Sequence, residues 1–128
     1  MLFRSRDIRY FRGSLLLQDP DTRLFEGFDC VTEKKAEGVD KGLMEFGIKA
    51  VRQVKSNAIV VVRKDEEGAF QLLGMGAGQP NRLVSVALAM EKSRANLENE
   101  YKGFQEDKDA YIEKELRKAV LEIGRAHV

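Results

Sequence analysis

The feature that most constrains the fold is an unbroken run of β-branched residues from Ile59 to Val62. A run of this kind is typical of a strand buried on both faces, because a half-exposed strand alternates apolar and polar side chains. A tight polar turn, Asp65–Gly68, follows it and leads into a second apolar run, Phe70–Leu73. This order predicts a β-hairpin in the middle of the chain.

Helical patterns flank the hairpin, which indicates an α/β fold with a mixed sheet and packed helices. Asp40 is placed to cap a first helix that runs to about Val54. A second helix is predicted from Asn81, with its first two turns apolar nearly all round and therefore buried. After a break near Gly103, residues 104–121 are predicted to form a charged helix, from about Asp107 to Leu121, either as a solvated arm or as a helix that packs on a partner.

Two further strands are predicted before the first helix. The short apolar run Leu15–Gln18 is closed by the turn cluster Asp19–Asp21. A weaker strand is predicted over Phe25–Thr32. With the hairpin, the sequence thus predicts four strands.

Composition excludes several classes of protein. The chain of 128 residues can bury one modest core, and its 22 Lys and Arg nearly balance its 21 Asp and Glu, which leaves a net charge of +1. This balance gives no electrostatic case for nucleic acid, and no apolar run approaches the roughly 18 residues of a membrane span. Cys30 is alone, so a disulfide framework is excluded and a reducing, cytoplasmic compartment is expected. One Cys and one His cannot assemble a zinc cluster, so no metal is expected.

The two ends differ in character from the rest of the chain. Met1–Ser5 and Glu122–Val128 both match in-frame translations of the ligation adapters used in short-read sequencing. On this interpretation the natural protein is residues 6–121 of a longer chain, and His127, the only histidine, is not part of it. The alternative is that natural termini carry these strings.

A chemical function can be predicted from two motifs, Lys55–Arg63 and Gly74–Arg82. The second is a glycine-rich loop that opens a helix, where free N–H groups and the helix dipole favour an anion and a guanidinium can bind phosphate, carboxylate or carboxamide oxygens. The alternative is structural, with glycines that allow a tight turn. The spacing G-x-G-x-G departs from the dinucleotide fingerprint, and a Walker sequence is absent. A Rossmann-type domain, with parallel strands around Gly74, is therefore the weaker alternative.

Asn57 and Lys55 each allow a structural and a functional interpretation. Asn57 either forms an Asx turn or helix cap, or uses its amide to stabilise a developing oxyanion or to orient an amide-bearing substrate. Lys55 is either a solvated helix-end cation or a possible catalytic group. A Ser/His/Asp or Cys/His set is absent from the sequence, so nucleophilic catalysis has no residues to use.

Taken together, Lys55-Ser-Asn-Ala-Ile-Val and Gly74-Met-Gly-Ala-Gly-Gln-Pro-Asn-Arg82 resemble the phosphoribosylaminoimidazolecarboxamide (AICAR) formyltransferase family, which is often fused to IMP cyclohydrolase. The resemblance is best over residues 12–98 and includes Arg12–Asp19 and Cys30–Thr32. It implies a zinc-free, cytidine-deaminase-like subdomain. It also implies transfer of a formyl group from 10-formyltetrahydrofolate to the 5-amino group of AICAR in IMP biosynthesis.

The resemblance also implies roles for individual residues. Those matching Asn57 and Arg82 contact the AICAR nucleotide, and the one matching Leu83 lies against the folate. The binding loop is implied at three positions, Gly76, Gly78 and Gln79. The family's usual serine before the arginine is Asn81 here, preceded by Pro80, and this leaves the detailed loop contacts open.

The resemblance further implies a homodimer, in which this chain packs against the rest of its own domain and a second copy. The catalytic Lys-His pair of the family belongs to an upstream segment that this chain does not contain, so residues 6–121 alone are expected to be inactive. A free-standing nucleotide-binding or regulatory module of the same fold is the alternative. Whether a cyclohydrolase is fused upstream, and whether the formyl donor is the folate or formate with ATP, stay open.

Overall fold

The computed structural model describes residues 6–20, 22–35, 37–103 and 107–124. The chain divides into two compact units, Met1–Glu33 and Lys34–Val128. Among the described residues, no helix has the length and apolar character to cross a membrane. His127 and the proposed adapter-derived residues 1–5 and 125–128 lie outside the described residues.

The first unit contains an antiparallel hairpin of β1 (Asp7–Phe11) and β2 (Ser14–Gln18). The turn between them uses positive φ angles at Arg12 and Gly13. The prediction of a strand at Leu15–Gln18 is confirmed, whereas β1 is a strand that the apolar pattern did not indicate.

The strand predicted over Phe25–Thr32 is wrong, since residues 22–35 form neither strand nor helix. Phe25 and Phe28 are three residues apart and bring their ring centroids within 4.8 Å of each other. Adjacent side chains of a strand point to opposite faces, so a three-residue spacing is incompatible with two rings that meet on one face. The aromatic pair therefore accompanies a local bend of the backbone.

The second unit contains three helices and three strands. In chain order these are α1 (Lys41–Arg52), β3 (Ile59–Lys64), β4 (Phe70–Gly76), α2 (Arg82–Glu100), α3 (Lys108–Arg117) and β5 (Val120–Ile123). The strands form one antiparallel sheet in the order β4-β3-β5. The predicted hairpin is confirmed, and the parallel arrangement of a Rossmann-type domain is excluded for these strands. The sheet is antiparallel rather than mixed, because β4 and β5 both run antiparallel to the central strand β3 that separates them.

The central strand β3 is buried on both faces, as its β-branched run predicts. Ile59 and Val61 pack with buried residues of α2 and α3 on one side of the sheet, including Ala89 and Ile112. Val60 and Val62 pack on the other side with residues of α1, namely Leu43 and Val51. The sheet therefore lies between helices on both faces.

Capping side chains determine where the two main helices begin. The Asp40 carboxylate accepts hydrogen bonds from the N–H groups of Gly42 and Leu43, and the Asn81 amide oxygen accepts one from Leu83. Both starts are confirmed, because an Asx side chain at this position satisfies N–H groups that the helix itself leaves unpaired. The C-cap of α1 is Gln53, slightly before the predicted end.

The prediction that the start of α2 is buried all round is wrong. Its buried residues follow a stripe of four-residue spacing, and Leu83 and Val84 are 76% and 43% exposed. The stripe consists of Ser85, Ala89, Ser93 and Leu97. Small side chains are selected there because α2 packs directly on β4. Hydropathy alone points to the wrong face of the helix.

The charged C-terminal helix is shorter than predicted and is not a solvated arm. α3 ends at Arg117, and Val120–Ile123 pairs with β3 as a third strand instead of continuing the helix. The physical reason is that β3 would otherwise expose an edge of unpaired backbone groups, which β5 covers. Ile112 of α3 is buried in the core. Glu122 and Ile123, which the adapter interpretation assigns to the scar, both belong to β5.

A buried polar network links α3 to the sheet. The Arg63 guanidinium donates to Glu115 at 2.8 Å, to Gln71 at 2.8 Å and to the carboxylate of Glu100. Lys118 donates to the other carboxylate oxygen of Glu115 at 2.7 Å. Arg63 and Glu115 are 4% and 2% exposed, so this ion pair is shielded from water. The network joins β3, β4, α2 and α3.

The variant Glu115→Gln is expected to reduce the acid sensitivity of the fold. Burial by itself raises the pKa of Glu115, but Lys118 and Arg63 outweigh it, and the pKa is lowered from its ordinary value of 4.5. A lowered pKa means that the carboxylate stabilises the fold above the unfolded-state pKa and that this contribution is lost as the pH falls through the folded-state pKa. Urea unfolding at about pH 7 and about pH 3 should show a smaller loss on acidification for the variant than for the wild type.

Glu122 does not disturb the comparison of the wild type with Glu115→Gln. Burial raises the pKa of Glu122, so Glu122 favours the folded state as the pH falls. This effect is the same in both proteins and cancels when they are compared. Equal losses of stability on acidification in the wild type and Glu115→Gln would contradict the stabilising role of the Glu115 carboxylate.

Candidate functional site

The structure brings the two sequence motifs together through backbone hydrogen bonds. The N–H of Gly78 donates to the carbonyl of Lys55 at 2.8 Å, and the N–H of Asn57 donates to the carbonyl of Gln79 at 3.2 Å. The segment that enters β3 therefore runs beside the loop that leaves β4. The start of α2 follows this loop directly.

Asn57 is held from two sides. Its side-chain Nδ2 donates to the carbonyl of Gln79 at 2.8 Å, and its own backbone carbonyl accepts a hydrogen bond from Ser85 Oγ at 2.6 Å. The Ser56–Asn57 peptide bond is cis. The side chain keeps one N–H and its Oδ1 without a partner among the described residues, so it can still donate and accept toward a ligand. Asn57 does not cap α1, because Gln53 occupies that position.

The glycines of the second motif serve two different purposes. Gly74 and Gly76 lie in β4 and are buried beneath α2, where a Cβ at Gly74 would stand 2.2 Å from the carbonyl oxygen of Ala89. A Cβ at Gly76 would stand 2.0 Å from the carbonyl oxygen of Ser85. Only Gly78 is in the loop proper, with a φ of 66°. Gly76, predicted in the binding loop, thus lies in the strand and acts through close packing.

Arg82 and Leu83 are exposed at the first turn of α2. The Arg82 side chain makes no hydrogen bond or ion pair with another residue in the described part of the chain, and the first turn of the helix carries no acidic residue. Lys55, also exposed, approaches the loop with its aliphatic stem close to Gly78. Two cations and a helix N-terminus therefore border the junction of the motifs, an arrangement that favours a negatively charged ligand.

Within residues 6–20, 22–35, 37–103 and 107–124, no group of three or more His, Cys, Asp or Glu side chains is arranged to hold a metal ion. The groups that border the junction are amide, guanidinium, ammonium and backbone N–H groups. They can bind and orient an anionic molecule that also carries amide-type donors and acceptors.

Comparison with known proteins decides the family. A family model described as the AICARFT/IMPCHase bienzyme matches residues 3–92, which include both motifs. The chain belongs to the AICARFT/IMPCHase bienzyme family. The resemblance drawn from the two motifs is thereby confirmed, and the general role of this family lies in purine biosynthesis.

Individual bienzyme relatives cover the same part of the chain. Bifunctional purine biosynthesis proteins from Brachyspira hyodysenteriae and Petrotoga mobilis are 43% and 42% identical over 81 and 82 residues. These matches cover 63% and 64% of the chain and 15% of each relative. The protein of the same name from Lactobacillus delbrueckii subsp. bulgaricus is 39% identical over 89 residues, 68% of the chain and 16% of the relative. The chain thus spans about a sixth of the length of these bienzymes.

Ser85 is a residue of the site that neither the motifs nor the bienzyme resemblance indicated. A signal for it was present in the sequence, since Ser85, Ala89 and Ser93 repeat at four-residue spacing after Gly74 and Gly76 at two-residue spacing. Small residues at helical spacing beside glycines at strand spacing indicate close packing of a helix on a strand. Such packing places the Ser85 hydroxyl within reach of the neighbouring backbone.

Proposed function

We propose that this chain is the nucleotide-contacting part of an AICAR formyltransferase. In this proposal Asn57 and Arg82 bind the AICAR nucleotide, and Gly78 and Gln79 shape the loop beside it. The observation that carries the proposal is the junction of the motifs, where backbone hydrogen bonds join Lys55 and Asn57 to the loop before Arg82. The match of the bienzyme model to residues 3–92 supports the assignment of the ligand.

The chemistry of the proposed reaction suits such a junction. The 5-amino group of AICAR is a poor nucleophile, so catalysis depends on positioning the amine against the formyl donor and on stabilising charge at the formyl oxygen. Asn57 would orient the nucleotide through its free amide groups. Arg82 would bind an anionic or carbonyl oxygen with its two parallel N–H groups.

The formyl donor in this proposal is 10-formyltetrahydrofolate, and Leu83 is the residue that would contact it. Leu83 is 76% exposed at the first turn of α2, next to Arg82. An exposed leucine at this position offers an apolar surface to a flat ring without displacing a core side chain. The fold we propose for the complete domain is cytidine-deaminase-like, active as a homodimer in the cytoplasm and without a metal.

The proposal predicts that Arg82→Ala weakens AICAR binding by about tenfold or more, since a charged hydrogen bond is worth about 1.5–3 kcal/mol. Isothermal titration calorimetry of AICAR into the full chain measures this. Arg94→Ala is the matched control, because Arg94 is an exposed arginine of the same helix that pairs with Glu113. Its affinity should equal that of the wild type.

Two outcomes of the titration would contradict the proposal. One is the absence of AICAR binding by the wild-type chain, and the other is an equal loss of affinity in both arginine variants. In the same samples, addition of 10-formyltetrahydrofolate should give no formylated product, since the catalytic Lys-His pair of the family is outside this chain. Turnover by this chain alone would contradict that part of the proposal.

A further inference from the structure

Ser85 connects α2 to the backbone of Asn57. Its side chain is fully buried, and its Oγ donates to the carbonyl oxygen of Asn57 at 2.6 Å. The hydroxyl therefore reaches from the second turn of the helix to the segment that leads into β3. On its other side Asn57 is held by the carbonyl of Gln79.

The position of Ser85 is fixed by backbone contact. A Cβ at Gly76 would lie 2.0 Å from the carbonyl oxygen of Ser85 and 2.7 Å from its Cα. The helix backbone thus rests directly on the strand backbone, which leaves Ser85 no room to move toward β4. A hydroxyl held this rigidly can hold its acceptor rigidly as well.

We propose that Ser85 is a positioning residue that fixes Asn57 relative to the start of α2. Arg82 lies one turn before Ser85 on the same helix, so the Ser85 hydrogen bond sets the spacing between the Asn57 amide and the Arg82 guanidinium. The identity of the ligand, a ribonucleotide that bears a carboxamide, rests on the proposed function. The positioning of Asn57 does not.

Removal of the hydroxyl would release one side of Asn57. In Ser85→Ala the Asn57 carbonyl loses its hydrogen-bond donor, and a polar group deprived of its partner tends to move until it finds another one. The Asn57 amide would then sample orientations that are unproductive for the ligand. AICAR affinity is expected to fall about tenfold, because the Asn57 amide then no longer holds one hydrogen bond to the ligand in place.

Ser93 provides a matched control. It is a fully buried serine of the same stripe of α2, and it faces Gly74, where a Cβ would lie 2.4 Å from Ser93 Oγ. Its hydroxyl donates to the carbonyl of Ala89 within the helix at 2.7 Å. Ser93→Ala therefore removes the same atoms from the same helix–strand interface without contacting Asn57.

The experiment compares the wild type, Ser85→Ala and Ser93→Ala by AICAR calorimetry and by NMR hydrogen exchange at the backbone N–H of Asn57. Ser85→Ala should bind AICAR about tenfold more weakly and exchange its Asn57 N–H about tenfold faster. Ser93→Ala should match the wild type in both. If Ser85→Ala does not fold, Ser85→Cys replaces it, since the thiol is a weak donor of similar size.

The two readouts separate this inference from the proposed function. A wild-type chain that does not bind AICAR overturns the proposed function, while faster exchange at Asn57 in Ser85→Ala alone still supports the positioning role. Exchange and affinity that change equally in both serine variants, or in neither, overturn the positioning role.

Discussion

Arg63→Met is expected to lower the free energy of unfolding by about 3 kcal/mol. Methionine keeps an apolar stem of similar length in place of the arginine but removes the charge. The Glu115 carboxylate, 2% exposed, then loses its main buried partner. Breaking one side of a buried ion pair typically costs about 3–5 kcal/mol, and the lower end applies here because Lys118 still contacts Glu115.

Arg94→Ala is the matched control for this prediction. Arg94 pairs with Glu113 at 3.0 Å, but the two side chains are 51% and 54% exposed. An exposed pair of this kind is worth about 0–1 kcal/mol. Urea unfolding followed by circular dichroism should separate the two variants clearly. A loss below about 1 kcal/mol for Arg63→Met would contradict the structural role of the buried network.

Gly76→Ala is expected to destabilise the fold by about 2–3 kcal/mol and to abolish the junction of the motifs. The added Cβ would lie 2.0 Å from the carbonyl oxygen of Ser85, which is a backbone atom and cannot move aside as a side chain does. The start of α2 would have to shift away from β4. The Ser85 hydroxyl would then lose the Asn57 carbonyl, and Arg82 would move with the helix.

Gly27→Ala is the control for the glycine prediction. A Cβ at Gly27 would meet no atom within 4 Å, and its φ is not in the left-handed region. Its free energy of unfolding should therefore stay within about 0.5 kcal/mol of the wild type. The measurements are urea unfolding and AICAR calorimetry. A Gly76→Ala protein as stable as Gly27→Ala, with unchanged affinity, would show that α2 does not pack on β4 as closely as described.

The parts of the fold that the sequence predicts correctly are those determined by local chemistry. Asp40 and Asn81 start their helices because their side chains bind the first free N–H groups, which depends only on nearby residues. The run Ile59–Val62 forms the central strand because both of its faces are apolar. The bienzyme resemblance came from two short motifs, and the family match over residues 3–92 confirms it.

The parts that the sequence does not predict depend on distant partners. The strand β5 forms because β3 has a second edge to pair with, and Val120–Ile123 has no strand pattern strong enough to indicate this locally. The buried face of α2 follows from the glycines of β4 rather than from its own hydropathy. The contact of Ser85 with Asn57 is likewise not predicted, because its acceptor lies 28 residues earlier in the chain.

The candidate site has one part that the sequence predicts and one part that it does not. The residue types at Asn57 and Arg82 indicate what the site can bind, and these could be chosen from the motifs. The hydrogen bonds from Gly78 to Lys55 and from Asn57 to Gln79 determine that the motifs share one place. The predicted hairpin already indicates that the motifs meet, because it sets the start of β3 beside the end of β4, where Ile59 pairs with Gly76. The individual hydrogen bonds of the junction are tertiary contacts that the sequence does not specify.

The most direct test of the shared site is an NMR titration of the ¹⁵N-labelled chain with AICAR. Both motifs should respond at the same AICAR concentration, with the largest shifts at Asn57, Gly78, Gln79 and Arg82. The backbone amides of α3 should not shift, because Glu115 of α3 binds Arg63 at the opposite end of β3 from Asn57. Shifts confined to one motif, shifts spread over the whole chain, or the absence of shifts would contradict a single nucleotide site built from Asn57 and Arg82.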